Sequence, residues 1–258
     1  MIEDKKHFSD MLLVIFSIAF FLASWLVANV SIGEAETWVS AVFIVVLAIP
    51  SYYVLSKWVG VTKGLIIIII FSIIPIVVES IGILTGFPYG GFHYTDRMGF
   101  KILGLVPWSV AFAFAPLVFG TITLSAQISK DARIALILSA AFLVVVDLVL
   151  DPAAVLLNIW VWDIPGPYYG IPVTNYTGWY LTAFITSIIM HMLTKETWKQ
   201  IAVPPALLAS SLLLSLAFWT GYSFWTGLLV PVIIGFTMLV LCGSIIFRRE
   251  KYAENAIA

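Results

Sequence analysis

Apolar runs at 11–30, 38–56, 64–84, 108–127, 132–150, 178–193, 203–220 and 224–247 alternate along the chain with short polar clusters. The hydrocarbon core of a bilayer takes about 20 apolar residues per α-helix, so this pattern predicts eight membrane-spanning helices. Seven is the alternative, because some runs fall short of a full span. The first run follows Lys5 and Lys6 as the core of a signal peptide would. Such a core holds about 7–15 residues, and the run is long enough to span, so with Met1 present it is read as the first spanning helix. Two stretches break the pattern, 79–108 and 147–178. In each, a carboxylate in the last turns of an apolar helix precedes a loop rich in Gly, Pro, Tyr and Trp. The first carries Glu79; the second repeats the layout with Asp147, Asp151, Asp163 and Asn175. Tyr89-Gly90 and Tyr94-Thr95 are echoed by Tyr169-Gly170 and Tyr176-Thr177, a hint of a duplicated helix–loop–helix. The remaining helices are read as a frame that holds these two segments together.

Composition agrees with that reading and narrows it. The 258 residues are 62% hydrophobic and 10% charged, too little polar surface for a water-soluble fold. The expected class is all-α, a polytopic integral membrane protein with two long aromatic loops, and with no linker or composition shift it forms one domain, 1–258. Charge placement sets an orientation. With a cytoplasmic N-terminus, Lys5, Lys6, Lys57, Lys63, Lys130, Arg133, Lys195, Lys199, Arg248, Arg249 and Lys251 fall inside, and Arg97 and Lys101 fall outside. This is the positive-inside asymmetry, and an odd number of spans would put the C-terminal basic cluster on the wrong side. The expectation is a multi-pass protein of the cell membrane with both termini cytoplasmic and both carboxylate loops non-cytoplasmic. No basic stripe suits a nucleic acid. The lone Cys242 leaves no disulfide and no cysteine-based metal site, and His7, His93 and His191 are too few for a histidine-rich di-iron centre. Neither metal nor cofactor is expected.

The candidate chemistry lies in the carboxylates. Glu79 and Asp147 sit within a turn or two of the same boundary, and Asp147 and Asp151, four apart, share one helix face with Pro152 just beyond. An ionised carboxylate at that depth is costly, so such groups face the bundle interior and pair or keep their proton. All three are candidate proton donors. The plainer reading makes Asp151 a cap for a helix beginning at Pro152 and pairs Glu79 with Arg97 or Lys101 to hold the loop. For all three carboxylates, that is a costly way to do what apolar residues do. Trp160, Trp162, Tyr168, Tyr169 and Trp179 suit an interfacial belt, but they cluster with Gly90, Gly91 and Gly170, where a backbone can approach a ligand closely. Electron-rich rings also stabilise a cation. His93 is a general base, a carboxylate partner or an interface residue, with the partner role favoured; His191 is read as structural.

Together, Glu79 with Gly86-Phe-Pro-Tyr-Gly-Gly-Phe-His-Tyr-Thr-Asp96, Leu105-Val-Pro-Trp108, Asp147-x-x-x-Asp151-Pro152 and Tyr168-Tyr-Gly-Ile-Pro-x-x-Asn175-Tyr-x-Gly-Trp179 resemble the membrane carotenoid hydratases. The likeness runs from about Glu79 to Trp179; the flanking helices match in hydropathy alone. It implies cofactor-free addition of water to the terminal double bond of a linear carotenoid, bisanhydrobacterioruberin- or lycopene-like, giving a tertiary alcohol. The residues suggest the roles. Asp147 or Glu79 protonates the alkene; Asp151, helped by Asn175 or His93, positions and deprotonates the water. Tyr89, Tyr94 and Trp179 line the cation, and Asp96, Arg97, Trp108, Trp162, Tyr169 and Tyr176 complete the substrate-binding candidates. The lipophilic substrate enters from the bilayer, and other membrane enzymes of the carotenoid pathway are candidate partners. A small membrane carotenoid cyclase uses the same residue types and quenches the cation by ring closure. A proton-coupled transporter is the other class, although the acids sit on one side rather than along a route. A retinal receptor fits less well, since no lysine lies mid-helix.

Overall fold

Eight helices carry the apolar runs: α1 (Ile2–Asn29), α2 (Ala35–Val59), α3 (Val61–Thr85), α4 (Val110–Ile128), α5 (Ala132–Leu156), α6 (Val173–Ile201), α7 (Ser210–Thr226) and α8 (Leu229–Phe247). This computed structural model describes residues 2–31, 33, 35–201 and 204–248. Arg249 and Lys251 of the C-terminal basic cluster lie outside the described residues. Among the described residues, seven helices are long and apolar enough to cross a membrane. The chain is an all-α polytopic membrane protein.

α6 is the helix missing from that set, and its path shows why. At 29 residues it is long enough, but Asn175, Thr182, Thr186, Ser187 and Thr194 dilute its apolar character. All five are buried. Asn175 in its first turn meets Asp147 of α5, while just past its other end Pro204 O accepts from Gln127 Nε2 at the end of α4. The helix therefore runs from the face with the two loops to the opposite face. These five side chains are satisfied inside the bundle, as hydrocarbon demands. Thr186 and Thr194 donate back to Thr182 O and Met190 O at 2.7 Å, and Ser187 reaches Ser139 of α5 at 2.9 Å. α7 runs antiparallel to α2, locked where Ser51 Oγ donates to Leu208 O at 2.7 Å.

The run expected to end at residue 150 continues through Pro152 to Leu156. A proline inside a helix leaves the carbonyl four residues back without its donor. Here that carbonyl, Leu148 O, accepts from Tyr168 Oη at 2.9 Å. Asp151 is therefore an interior helix residue rather than a cap.

The two loops are joined by a ribbon that hydropathy does not show. β1 (Phe92–Tyr94) pairs antiparallel with β4 (Trp160–Trp162), with Phe92 opposite Trp162, His93 opposite Val161 and Tyr94 opposite Trp160. Between them, β2 (Lys101–Ile102) and β3 (Val106–Pro107) form a second short hairpin. Strand alternation turns Phe92 and Tyr94 inward and His93 outward. The echoed residues occupy unlike places: Tyr94 ends β1, whereas Tyr176 sits in the first turn of α6.

Candidate active site

Tyr89 anchors the site to its helices. Its ring lies between Gly82 of α3 and Gly178 of α6: a Cβ at Gly82 would come within 2.9 Å of the ring, and one at Gly178 within 2.7 Å. Glycine at both positions lets the loop sink between the two helices. Tyr89 Oη and Thr182 Oγ1 then hydrogen-bond at 2.9 Å, and Trp179 lies against the ring at a centroid distance of 5.0 Å.

Below this plug lies a cavity of about 530 Å³ whose polar lining includes Glu79, Asp147, Asp151 and Asn175, with Tyr89, Phe92, Tyr94, Trp160, Trp162 and Trp179 as aromatic walls. That volume falls in the range of small-molecule pockets. All three carboxyl groups are buried, and each has a donor. Tyr94 Oη donates to Glu79 Oε2 at 2.6 Å. Burial, reinforced by the Glu79 carboxyl, pushes the Tyr94 phenol well above its ordinary range, so it remains a donor at neutral pH. Asn175 Nδ2 donates to Asp147 Oδ2 at 3.0 Å and also to Asp151 Oδ2. Sharing that one amide nitrogen sets the two aspartyl groups side by side, and Trp160 lines the same cavity. Seven of the groups read from the sequence as acids, positioning groups or cation walls thus share one cavity: Glu79, Asp147, Asp151, Asn175, Tyr89, Tyr94 and Trp179. Trp162 joins them, and Arg97, an exposed residue, reaches the rim.

Other candidates lie elsewhere. His93 faces outward and pairs with Asp163 at 3.2 Å, with 59% of its side chain exposed. It is a carboxylate partner, but of a surface aspartate, and the structure does not bring it to Asp151. Asp96 is exposed and pairs with Lys101 at 2.9 Å, so Lys101 serves Asp96 and not Glu79. Lys101 also donates to Tyr94 O at 2.7 Å, tying the loop beneath it, and holds the Asp96 carboxyl below its ordinary range. Trp108 packs edge-on against Phe112, Tyr176 against Tyr168, and the Tyr169 hydroxyl accepts from Val230 N at 3.4 Å. His93, Asp96, Trp108, Tyr169 and Tyr176 are all outside the cavity lining. Gly90, Gly91 and Gly170 are also outside it; Gly91 gives room to Asp163, and Gly90 and Gly170 supply positive φ at turns. Conversely, sequence reading left Trp160 in the interfacial belt. The signal that finds it is its place opposite Tyr94 in the ribbon. No group of three or more His, Cys, Asp or Glu among the described residues is arranged to hold a metal ion.

The family described as "Carotenoid biosynthesis protein" matches residues 35–242. The chain belongs to that family. It is also similar to bisanhydrobacterioruberin hydratase of Haloarcula japonica, at 34% identity over 116 residues. That match covers 43% of this chain and 39% of the relative, so the chain matches well under half of that protein's length. No solved structure matches. The family range spans every helix that contributes a carboxyl or Asn175 to the cavity.

Proposed function

We propose that this chain hydrates the terminal C=C of a linear carotenoid by acid catalysis. The supporting observation is the Asp147–Asp151–Asn175 cluster facing Glu79 in an apolar, aromatic cavity, within a family of carotenoid biosynthesis. Two carboxyl groups in contact repel unless a proton lies between them. Asn175 Nδ2 lies nearer Asp151 Oδ2 than Asp147 Oδ2, so Asp151 is the better supported as a carboxylate and the shared proton is placed on Asp147.

Asp147 delivers that proton to the CH carbon of the terminal R–CH=C(CH₃)₂ unit. The C=C electron pair forms the new C–H bond, and the positive charge falls on the carbon bearing two methyl groups. Tyr89, Tyr94 and Trp179 present ring faces and edges around the space where that cation forms, with the Glu79 carboxyl held on the same wall by Tyr94. Water adds through oxygen to the cation, and the proton it loses passes to Asp151 and so back to the pair. The product is R–CH₂–C(CH₃)₂–OH, and no external oxidant or reductant enters the balance. The loop face is assigned to the non-cytoplasmic side, on the distribution of basic residues.

The test is product mass. The chain is expressed in a host that accumulates an acyclic carotenoid with unmodified ends, and the pigment is compared with an empty-vector control. A gain of one or two waters with an unchanged chromophore supports the proposal and counts the reacting ends. An isomer of unchanged mass replaces it with a cyclase, and no change with any acyclic carotenoid points to transport.

A further inference from the structure

We propose that the loop-side halves of α1 and α2 frame a lipid-facing portal through which one end of a long acyclic polyene threads into the cavity. The proposal rests on the hydrocarbon-substrate reading above. Although neighbours in sequence, the two helices are held by other elements: α1 packs on α7, and α2 on α3, α4 and α7. They meet at a ring contact, Phe20 edge-on to Phe43 at 5.3 Å, and Phe43 lies in turn on Phe218 of α7 at 4.6 Å. On the loop side of that contact, Ala23, Leu26 and Val27 of α1, Val30 just past its end, and Val39 and Ser40 of α2 line the cavity.

Four of these are also open to the outside: Leu26 at 55%, Val27 at 44%, Val30 at 46% and Val39 at 54%. Elsewhere on the wall Phe92, Val110 and Trp162 are 8% exposed or less. Residues that face both the cavity and the surroundings mark its mouth. Between the two helices the mouth is hydrocarbon apart from Ser40, with Arg97 of the loop at its rim, so the gap between α1 and α2 opens to lipid tails. Lipid tails are as apolar as the side chains, and there is little hydrophobic drive to close such a gap between helices. The volume, about 530 Å³, suits a drug-sized ligand. A full-length carotenoid exceeds that, so one end reaches the carboxyl groups while the remainder stays in the bilayer. Two-ended substrates are then processed one end at a time.

The experiment uses the full chain in lipid vesicles. Cys242 is buried, so Ser40→Cys supplies the reactive thiol, and its modification by a lipid-soluble maleimide is followed by mass with and without an acyclic carotenoid. Polyene at ten times its Kd is expected to slow modification about tenfold, while Ile69→Cys on the lipid face of α3 is unaffected. Val27→Trp and Val39→Trp are each expected to lower product formation at least about tenfold by filling the mouth, with Ile69→Trp unchanged. Equal modification of Ser40→Cys with and without polyene overturns the portal. Protection without any gain of water in the parent protein keeps the portal and overturns hydration instead.

Discussion

The two carboxylate regions look alike in the sequence and differ in the fold. The α3 region presents one carboxyl, Glu79, with a phenol from its own loop, Tyr94, as donor. The α5 region presents two, one turn apart, bridged by an amide from another helix. A lone carboxyl with a fixed neutral donor is a stationary dipole or charge. A carboxyl pair around one amide can hold a proton, release it and take another back without leaving two like charges in contact. On the hydration proposal, proton transfer belongs to α5 and electrostatic support to α3.

The sharpest way to break that division is to remove one carboxyl from each side. Asp147→Asn is expected to lower the rate of product formation by roughly 10²–10⁴-fold, the range for a general acid. If Glu79→Gln proves the more damaging while Asp147→Asn stays near the parent rate, the two regions exchange roles. Asn175→Leu leaves both aspartyl groups without their common donor and should cost about 1–3 kcal/mol of transition-state stabilisation, read as kcat/KM. Tyr94→Phe is expected to lower kcat/KM by about tenfold. Combined with Glu79→Gln it should add little more, because the two act through one bond; full additivity would place Tyr94 elsewhere in the mechanism. Trp160→Phe keeps an aromatic ring in the cavity wall and is expected to lower the rate by no more than a few-fold. His93→Ala, on the outward side of the ribbon, should leave turnover within about twofold and stability within about 0.5 kcal/mol.

Particular residues show how much was legible. Glu79, Asp147 and Asp151 stand out because a carboxylate inside an apolar run is rare and costly, and the four-residue spacing places the two aspartates on one face without further information. His93 and Tyr94 are adjacent, polar and aromatic, and nothing local says which points inward. Pairing of β1 with β4 decides it, and a slip of one residue would exchange them. Trp160 likewise belongs to a tryptophan-rich stretch until the ribbon sets it opposite Tyr94. The helix end expected before Pro152 was displaced by Tyr168, whose hydroxyl takes the carbonyl that the proline leaves open.

The sequence by itself determined the class of the protein, the number of long helices and the presence of carboxyl groups inside apolar helices near one face. These follow from residue-by-residue transfer into hydrocarbon and from helical periodicity, which are local and additive. Tertiary structure alone decided which donor each carboxyl has, which aromatics reach the cavity and where the cavity opens. Those depend on contacts between residues far apart in the chain, such as Asn175 with Asp147 and Tyr89 between Gly82 and Gly178. A hydrogen bond or a close approach is set by ångström-scale positions of two elements, and no pattern within either element specifies the other's place.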